Sequence, residues 1–329
     1  MPKNKKTISE IGSPFFSDEF IERISATVGT KNFYFADENL SSGDMGTAAA
    51  RRLMEDLSWD PAEVDGLIFV SQSLDYIVPP TSCQAQYELG LPDTAYLMDT
   101  NYGCMGFVYA LMNAFHLVKC GTCRRVIVVT AEIHYKYINK SDEGTALIFG
   151  DGAAATAVEY SENAPKTSFL TYANGAYAKS ITLGWHKQYD NPAITDREHV
   201  YMDGEVVTMF MLKVLPNFVK SLLEFHGCEK EDIDSFLLHQ ANAFILRYAG
   251  KRMKLDLDKV LINIDSFGNT SSSSIPLLIC DKCRDLFEGG KRKIMAVGFG
   301  SGFMIAGMIM DIGELKGGEV LIGEDQIYG

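Results

Sequence analysis

The sequence repeats itself across a long interval, and this feature restricts the fold more than any other. Residues 64–69 (VDGLIF) resemble residues 233–238 (IDSFLL), an offset of 169, and residues 124–129 (RRVIVV) resemble residues 292–297 (RKIMAV), an offset of 168. An interval this long is not a solenoid repeat. The two matches therefore predict two copies of one α/β unit packed about a pseudo-twofold axis, with chance similarity between apolar strands as the alternative.

Runs of β-branched residues alternate with helix-like segments, which is typical of α/β proteins whose strands are buried on both faces. We predict strands at residues 67–70, 126–129, 153–158, 236–238, 294–297 and 304–310. We predict helices at residues 46–57, 106–118, 206–225, 243–253 and 274–287. The halves would then cover residues 1–165 and 166–313, with a polar join near residues 161–200. Residues 314–329 form an acidic, glycine-rich tail that is disordered or docks on a partner.

The composition excludes several classes of protein. Lys and Arg number 30 against 43 Asp and Glu, a net charge of −13, and basic residues do not cluster with aromatic ones, so we expect no nucleic-acid partner. The basic start at residues 3–6 leads into no apolar run. The apolar stretches at 125–131 and 294–310 are too short, or too broken by glycine, to span a bilayer. We therefore expect a cytoplasmic protein that does not bind membranes.

Seven cysteines, an odd number in a long chain, favour free thiols over a disulfide framework. Cys104 lies where a predicted strand gives way to a glycine turn and an apolar helix, in residues 99–111 (DTNYGCMGFVYAL). Unpaired N–H groups at a helix N-terminus favour the thiolate, so this position predicts a lowered thiol pKa. Cys104 is thus a candidate nucleophile, with a buried structural cysteine as the alternative.

Two polar residues hold related positions in the second half. His239, in residues 237–242 (LLHQAN), directly follows a predicted strand, at the strand end where α/β sites collect. Asn269, in residues 265–276 (DSFGNTSSSSIP), occupies the strand-to-helix turn that corresponds to the Cys104 turn. Taken singly, they could be a packed histidine and part of a serine-rich helix cap. Duplication would bring all three residues together, and a thiol, an imidazole and an amide are suited to acyl transfer through a thioester.

Other sequence patterns are weaker indications of a metal-binding, nucleotide-binding or catalytic site. The pairs Cys120–Cys123 and Cys280–Cys283 have C-x-x-C spacing, but they lie far further apart than the ~15 to 20 residues between the pairs of a zinc site, so we expect no metal and no redox role. Residues 298–302 (GFGSG) lead from a strand into another strand and not into a helix, which argues against a dinucleotide loop. A cysteine protease would use the same three residue types but would leave the duplication unexplained.

At these residues the sequence resembles the beta-ketoacyl-acyl-carrier-protein synthase III family of the thiolase superfamily, over residues 18–311. The resemblance rests on five motifs in order: the Cys104 turn, residues 144–153 (GTALIFGDGA), 239–242 (HQAN), 268–271 (GNTS) and 299–303 (FGSGF). It implies a thiolase-like α/β fold with two duplicated halves in five αβαβα layers. It also implies a homodimer, and no cofactor apart from substrates carried as thioesters of CoA or acyl carrier protein.

The resemblance implies a decarboxylative Claisen condensation of an acyl primer, carried on CoA or acyl carrier protein, with malonyl-acyl-carrier-protein. Cys104 would carry the acyl group, and the backbone N–H groups of Cys104 and Ser301 would form the oxyanion hole. His239 and Asn269 would donate hydrogen bonds to the malonyl thioester carbonyl and stabilise the enolate left by decarboxylation. An intact Asn269 favours carbon–carbon bond formation.

The sequence departs from this family in its primer-binding residues. The aromatic residue and Arg that sandwich the adenine of CoA correspond to Phe20 and Glu143, and a negative Glu143 cannot replace a cation over adenine. Residues 77–80 (IVPP) stand where an aromatic residue of the partner subunit often closes the acyl pocket. These changes predict weak priming by acetyl-CoA and a longer or branched acyl group delivered on a carrier protein.

The carrier-docking residues also differ. An Arg commonly follows the HQAN motif by two residues, and Phe244 stands there instead. Arg247, Lys251 and Arg252 on the same predicted helix still offer positive charge to an acidic carrier protein.

Two other functions stay open at this point. Some thiolase-fold acyltransferases of specialised metabolism form an ester or an amide, and some ketosynthase-like chains are non-catalytic partners in heterodimers. The non-catalytic partners usually lose the reactive cysteine, so the intact set of Cys104, His239 and Asn269 argues for an enzyme.

Overall fold

The computed structural model describes residues 1–184, 198–284 and 290–323. Its helices are α1 Ile8–Gly12, α2 Asp18–Thr27, α3 Ser42–Leu57, α4 Thr81–Leu89, α5 Gly106–Lys119, α6 Gly204–His226, α7 Ala243–Arg252, α8 Ile264–Phe267 and α9 Ser274–Lys282. Its strands are β1 Asn4–Thr7, β2 Asn32–Phe35, β3 Gly66–Val70, β4 Tyr96–Thr100, β5 Arg125–Glu132, β6 Gly152–Glu159, β7 Ser168–Ala173, β8 Ile181–Thr182, β9 Tyr201–Met202, β10 Ser235–Leu238, β11 Arg292–Gly300 and β12 Met304–Ile312.

Every segment predicted as a helix or strand falls on an observed element of that type. The observed strands are longer, because each continues past its apolar centre. The last predicted helix, residues 274–287, is described as α9 up to residue 282, and residues 285–287 lie outside the described part of the chain. The strands β4 and β7 were missed because both lie at sheet edges and mix polar with apolar residues, a weaker signal than a buried run.

The first sheet has the strand order β4-β3-β5-β6. Strand β3 is parallel to both β4 and β5, whereas β6 is antiparallel to β5. In the ladder between β3 and β5, Gly66 pairs with Val126. Parallel strands need a crossover connection, and α5 with its flanking loops supplies the one from β4 to β5.

The second sheet has the order β10-β11-β12-β7, in which β10, β11 and β12 repeat β3, β5 and β6, and β7 is added at the β12 edge. Strand β10 is parallel to β11, and β12 is antiparallel to β11 and to β7. Ser235 of β10 pairs with Ile294 of β11. The offsets of 169 and 168 in the sequence therefore carry the Gly66–Val126 pair onto the Ser235–Ile294 pair. The predicted duplication is confirmed at the level of strand register.

Successive side chains of a strand point to opposite faces of its sheet, and the helices that cover these faces give the molecule five layers. Ile68 and Val70 of β3 face α5 and α9, which also cover one face of β11 and β12 and so form the middle layer. Leu67 and Phe69 face the opposite way, towards α3 and α4. The outer face of the second sheet is covered by α6 and α7. The order is thus helices, sheet, helices, sheet, helices, which confirms the predicted αβαβα fold.

Helix α6 is long and apolar enough to cross a membrane by length and composition alone. In the structure its residues Leu215, Phe218 and Leu222 pack against the second sheet in the same cluster as Met295 and Ile305. Burying each such side chain contributes about 1.5–3 kcal/mol, which accounts for an apolar face on a core helix. One face of α6 therefore packs in the core of the second half.

The division at residue 165 stays a prediction, although β7, which begins at Ser168, joins the second sheet. In the tail, Glu319 forms an ion pair of 3.1 Å with Arg284, and Val320 contacts the cluster around Phe267. Residues 324–329 of the tail, and residues 185–197 of the predicted join, lie outside the described part of the chain.

Candidate active site

A cavity of about 390 Å³ lies between the two halves, and all three candidate residues line it. Cys104 enters from the first half, at the β4–α5 turn. His239 follows β10, and Asn269 lies just before α9, both in the second half. The structure therefore brings Cys104 together with two side chains that lie more than 130 residues further along the sequence, as the duplication predicts.

The Cys104 turn depends on three glycines close to the cysteine, Gly103, Gly106 and Gly300. The N–H of Gly106 donates to the carbonyl of Gly103 at 2.6 Å, which closes the turn just before α5. A β-carbon at Gly103 would lie 2.3 Å from Oε1 of Gln72, and one at Gly300 would lie 2.9 Å from Cβ of Cys104. Real β-carbons do not approach so closely, so a larger residue at Gly103 would push aside the end of the Gln72 side chain, and one at Gly300 would displace the nucleophile.

The pKa of Cys104 contradicts the expectation from its sequence position. Burial, with a smaller contribution from Glu132, raises the pKa of this thiol to about 12, although a hydrogen-bonding contact of 3.7 Å with Oγ of Ser271 acts in the opposite direction. The helix N-terminus favours a thiolate, but removing the group from water costs more here. Cys104 is therefore a neutral thiol at physiological pH, and the prediction of a lowered pKa was wrong.

His239 is a neutral imidazole with one nitrogen fixed. Its Nδ1 lies 2.6 Å from Oγ of Ser274, and its ring meets the ring of Phe299 edge-on at 5.3 Å. The side chain is almost fully buried, and burial lowers its pKa to about 3. A donating Ser274 hydroxyl would leave the ring proton on Nε2, the nitrogen that Ser274 does not contact.

Asn269 is oriented by the backbone. Its Oδ1 accepts a hydrogen bond of 2.8 Å from the N–H of Ser271, so its amide nitrogen is the atom left to donate. Its own N–H donates to the carbonyl of Ile148 at 2.9 Å, and its carbonyl accepts from Gly150 at 3.1 Å. The motif at residues 144–153 thus braces Asn269 from the first half.

Within the same motif, the carboxylate of Asp151 is buried, and burial raises its pKa to about 7. Its Oδ2 accepts a hydrogen bond of 2.9 Å from the N–H of Ala36, and its Oδ1 accepts one of 3.1 Å from the N–H of Tyr135. The motif therefore ties the segment after β2 to the segment after β5 beside the cavity.

Ser301 begins the short 3₁₀ turn that links β11 to β12, and it also lines the cavity. Its Oγ accepts a hydrogen bond of 3.3 Å from Nε2 of Gln72, so both halves meet here as well. Because this turn leads directly into β12, residues 298–302 are not a dinucleotide loop that begins a helix. An oxyanion hole at the N–H groups of Cys104 and Ser301 stays a prediction.

The residues predicted to bind CoA lie outside the residues that line the cavity. Phe20 is partly buried, with the Phe16 ring stacked at 4.8 Å and the Arg23 guanidinium 5.0 Å from its ring centre. Glu143 is exposed. The ring of Phe20 is thus already in contact with Phe16 and Arg23, and the cation beside this ring is Arg23 and not residue 143.

The three cations predicted to dock a carrier protein are all exposed on α7, and they also lie outside the cavity lining. They are Arg247, Lys251 and Arg252. Helix α7 does reach the cavity through Ile245. The cations therefore lie on the helix whose first turn borders the candidate site.

Sequence reasoning missed two residues beside the site. Glu132 ends β5 and is fully buried, and burial raises its pKa to about 7. Its Oε1 accepts a hydrogen bond of 2.7 Å from Oγ of Ser272, and its Oε2 accepts one of 3.0 Å from the N–H of Gln72. His134, two residues later, lines the cavity. The available signal was a charged residue at the carboxyl end of a buried strand, where α/β sites collect.

The C-x-x-C pairs lie at the ends of corresponding helices but not at equivalent positions, since Cys120 and Cys123 follow α5, whereas Cys280 lies within α9 and Cys283 follows it. Among residues 1–184, 198–284 and 290–323, three or more His, Cys, Asp or Glu side chains do not group as a metal site would need. That the enzyme uses no metal stays a prediction.

Comparison with known proteins identifies the family. Residues 98–178 match the family described as 3-oxoacyl-[acyl-carrier-protein] synthase III, and residues 223–312 match the C-terminal family of the same enzyme. A beta-ketoacyl-[acyl-carrier-protein] synthase III of Caldanaerobacter subterraneus is 34% identical over 300 residues, which cover 89% of each chain.

Solved structures agree. A 3-oxoacyl-(acyl-carrier-protein) synthase from Burkholderia xenovorans is 31% identical, with a TM-score of 0.94 over 98% of this chain and 94% of its own. The priming beta-ketosynthase of the R1128 polyketide pathway is 28% identical, with a TM-score of 0.84 over 95% of this chain and 93% of its own. The chain belongs to the beta-ketoacyl-acyl-carrier-protein synthase III family and is a condensing acyltransferase with the thiolase fold.

Proposed function

We propose that this enzyme condenses an acyl primer with a malonyl thioester, with loss of carbon dioxide, through an acyl group held on Cys104. The observation that carries the proposal is the shared cavity, in which a thiol from one half faces an imidazole and an amide from the other. No cofactor enters this chemistry, because the malonyl carboxylate supplies the electron pair for the new carbon–carbon bond.

In the first step Sγ of Cys104 attacks the primer thioester. The sulfur–carbon bond to Cys104 forms, the bond to the carrier's sulfur breaks, and the thiol proton leaves with the carrier thiol. Because the thiol is neutral at physiological pH, the proton has to move as the attack proceeds. Backbone N–H groups of Cys104 and Ser301 hold the developing oxyanion.

In the second step the malonyl thioester occupies the side of the cavity near His239 and Asn269. Nε2–H of His239 and the amide N–H of Asn269 donate to its thioester carbonyl, so that the negative charge freed by decarboxylation is held on that oxygen. Ser274 fixes the His239 ring, and Ser271 fixes the Asn269 amide. The enolate carbon then attacks the acyl group, and Sγ of Cys104 leaves as a thiolate, which takes a proton from water and restores the neutral thiol.

The primer is proposed to arrive on a carrier protein rather than on acetyl-CoA. Phe20 is engaged by Phe16 and Arg23, and Glu143 brings a negative charge, so adenine has no open aromatic face paired with a cation at these positions. On α7, the exposed cations Arg247, Lys251 and Arg252 attract an acidic carrier. Malonyl-acyl-carrier-protein would dock on the same surface.

We also propose a cytoplasmic homodimer. In the segment between β3 and α4, Ile77 is 77% exposed and Val78 is 80% exposed, and in α4 Tyr87 is 83% exposed. Exposed apolar side chains of this size are typical of an interaction surface when they form one patch. A second copy of the chain would cover them.

Intact-protein mass spectrometry tests the first step. Wild type and the Cys104→Ala variant are exposed to a panel of acyl-CoA and acyl-carrier-protein thioesters. The proposal predicts one acyl adduct on wild type and none on the variant, with carrier-protein donors ahead of acetyl-CoA. Absence of an adduct from any donor would favour a non-catalytic partner, and rapid acetylation at low micromolar acetyl-CoA would contradict the assignment of the primer carrier.

A further inference from the structure

Gln72 lies in the wall of the cavity and touches one turn from each half of the molecule. Its Nε2 donates a hydrogen bond of 3.3 Å to Oγ of Ser301 in the second half. A β-carbon at Gly103, in the first half, would lie 2.3 Å from Oε1 of Gln72 and 3.1 Å from its Nε2. The Gln72 amide thus occupies the space in which a side chain at Gly103 would stand. The condensation described above gives this amide no task.

The backbone around Gln72 is fixed to the end of β5. The N–H of Gln72 donates to Oε2 of Glu132 at 3.0 Å. In the next residue, Oγ of Ser73 accepts a hydrogen bond of 2.8 Å from the N–H of Ile133. The side chain of Gln72 therefore starts from a backbone that is held in place, and it can transmit that position to the group to which it bonds.

The two turns that Gln72 touches carry the proposed oxyanion donors. The N–H of Cys104 belongs to the peptide unit that follows Gly103, and the N–H of Ser301 lies at the start of the β11–β12 turn. Because the two donors come from different halves, their separation depends on contacts between the halves. An oxyanion hole works only when its donors meet at one point, within about 0.5 Å.

Glycine packing limits how closely these turns approach each other. A β-carbon at Gly298 would lie 2.6 Å from the carbonyl oxygen of Cys104, and one at Gly300 would lie 2.9 Å from its Cβ, so β11 is already in contact with the Cys104 turn. Contacts of this kind prevent a closer approach, but each is weak and non-directional, so they resist separation poorly. The bond from Gln72 to Ser301 is directional and opposes separation.

The Ser301 turn also has a strained backbone. Gly302 has a φ of +74° and Phe303 a φ of +49°, and a bulky residue such as Phe keeps a left-handed conformation only when its surroundings hold it there. The ring of Phe303 meets the ring of Phe210 edge-on at 4.4 Å, which holds the far end of the turn. Gln72 holds the near end, where the proposed oxyanion donor lies.

We infer that Gln72 is a positioning residue for the acylation step, which acts through Oγ of Ser301 to keep the N–H groups of Cys104 and Ser301 on the same carbonyl oxygen. The inference rests on the proposed function, because the oxyanion forms only when a thioester acylates Cys104.

The test compares two reactions of the same thiol in wild type and in Gln72→Leu, which keeps a side chain of similar size but has no donor. Acylation by acetyl, butyryl and hexanoyl thioesters of pantetheine forms an oxyanion, whereas alkylation by iodoacetamide takes place at a saturated carbon and forms none. Intact-protein mass spectrometry measures both rates. We expect Gln72→Leu to acylate about tenfold to a hundredfold more slowly and to be alkylated at the wild-type rate.

A double-mutant cycle tests whether Gln72 acts through Ser301. Ser301→Ala removes the acceptor of the same hydrogen bond, so it should lower acylation as much as Gln72→Leu, and the double variant should be no slower than either single one. The control Gln84→Leu makes the same chemical change on the exposed surface of α4, where the amide bonds only to Glu88 of the same helix, and should keep both rates.

Three results would overturn the inference. They are a loss of acylation below about fivefold in Gln72→Leu, an equal loss of acylation and alkylation, which indicates a purely structural role, and losses that add in the double variant. Each of them leaves the condensation intact if wild type forms the adduct on Cys104. A wild-type enzyme that forms no adduct with any donor contradicts the proposed function as well.

Discussion

The Asn269→Asp variant isolates one hydrogen-bond donor of the proposed site. Oδ1 of Asn269 accepts from the N–H of Ser271 at 2.8 Å, and a carboxylate oxygen can accept the same bond. The change therefore keeps the side chain's shape and its backbone contact, but it replaces the amide N–H groups with an oxygen that cannot donate. An ionised Asp would also repel the negative charge that develops on the malonyl thioester carbonyl.

Removing one oxyanion donor costs about 10²- to 10³-fold in rate, and the repulsion adds to this loss. We therefore expect decarboxylation of malonyl thioester to fall by at least about a hundredfold. Acylation of Cys104 should stay within about threefold of wild type, since the primer's oxyanion is held by different groups. Release of labelled carbon dioxide measures the first rate, and mass spectrometry of the adduct measures the second.

Asn242→Asp is the matched control, because it makes the same chemical change at a residue near the site. Oδ1 of Asn242 accepts from the N–H groups of Phe244 and Ile245 and so caps α7, which Asp does equally well. This variant should keep both rates. If Asn269→Asp decarboxylates malonyl thioester within threefold of wild type, the assignment of Asn269 as a donor to the enolate oxygen is refuted.

Three further predictions concern the nucleophile and the surface. Burial raises the pKa of Cys104 to about 12, so only a small fraction of the thiol is ionised at neutral pH. Its rate of alkylation by iodoacetamide should therefore rise about tenfold per pH unit from pH 7 to 9. A plateau below pH 8 would mean that the helix N-terminus outweighs burial. Gly300→Ala should slow acylation of Cys104 at least about tenfold and cost about 1–3 kcal/mol of stability, because its β-carbon would lie 3.0 Å from Sγ. The control Gly313→Ala meets nothing within 4 Å and should change neither the rate nor the stability. Acylation kinetics and thermal unfolding measure the two effects. Ile77→Glu should convert the proposed dimer to a monomer in light scattering, and a wild-type protein that is already monomeric would contradict the dimer.

The sequence predicted the fold well because it contains two related copies of one α/β unit. The offset between residues 64–69 and 233–238 held to within one residue, since Gly66–Val126 and Ser235–Ile294 pair at corresponding rungs of their sheets. Buried strands of a parallel sheet read as apolar runs, which are easy to find. The edge strand β4 was missed because Asp99 within it accepts from the N–H groups of Thr81 and Ser82, so part of that strand serves to cap α4.

The sequence indicated Cys104, His239 and Asn269 as neighbours, but it indicated neither Glu132 and His134 beside them nor the electrostatics of the cavity. The positions of Cys104, His239 and Asn269 follow from strand-to-helix turns, which local sequence indicates. The raised pKa of Cys104 depends on how deeply the two halves enclose it, and only tertiary packing fixes that. The same holds for His134, whose place in the cavity wall depends on which residues pack around it.

The central claim is that Cys104 carries the primer and that decarboxylation drives the new bond. Its most direct test isolates the acyl-Cys104 enzyme and mixes it with malonyl thioester labelled in the free carboxylate. The account predicts one labelled carbon dioxide released for each adduct cleared, together with a 3-oxoacyl thioester two carbons longer than the primer. An adduct that malonyl thioester leaves untouched, but that an alcohol or amine clears without carbon dioxide, would contradict the account and identify an ester- or amide-forming acyltransferase.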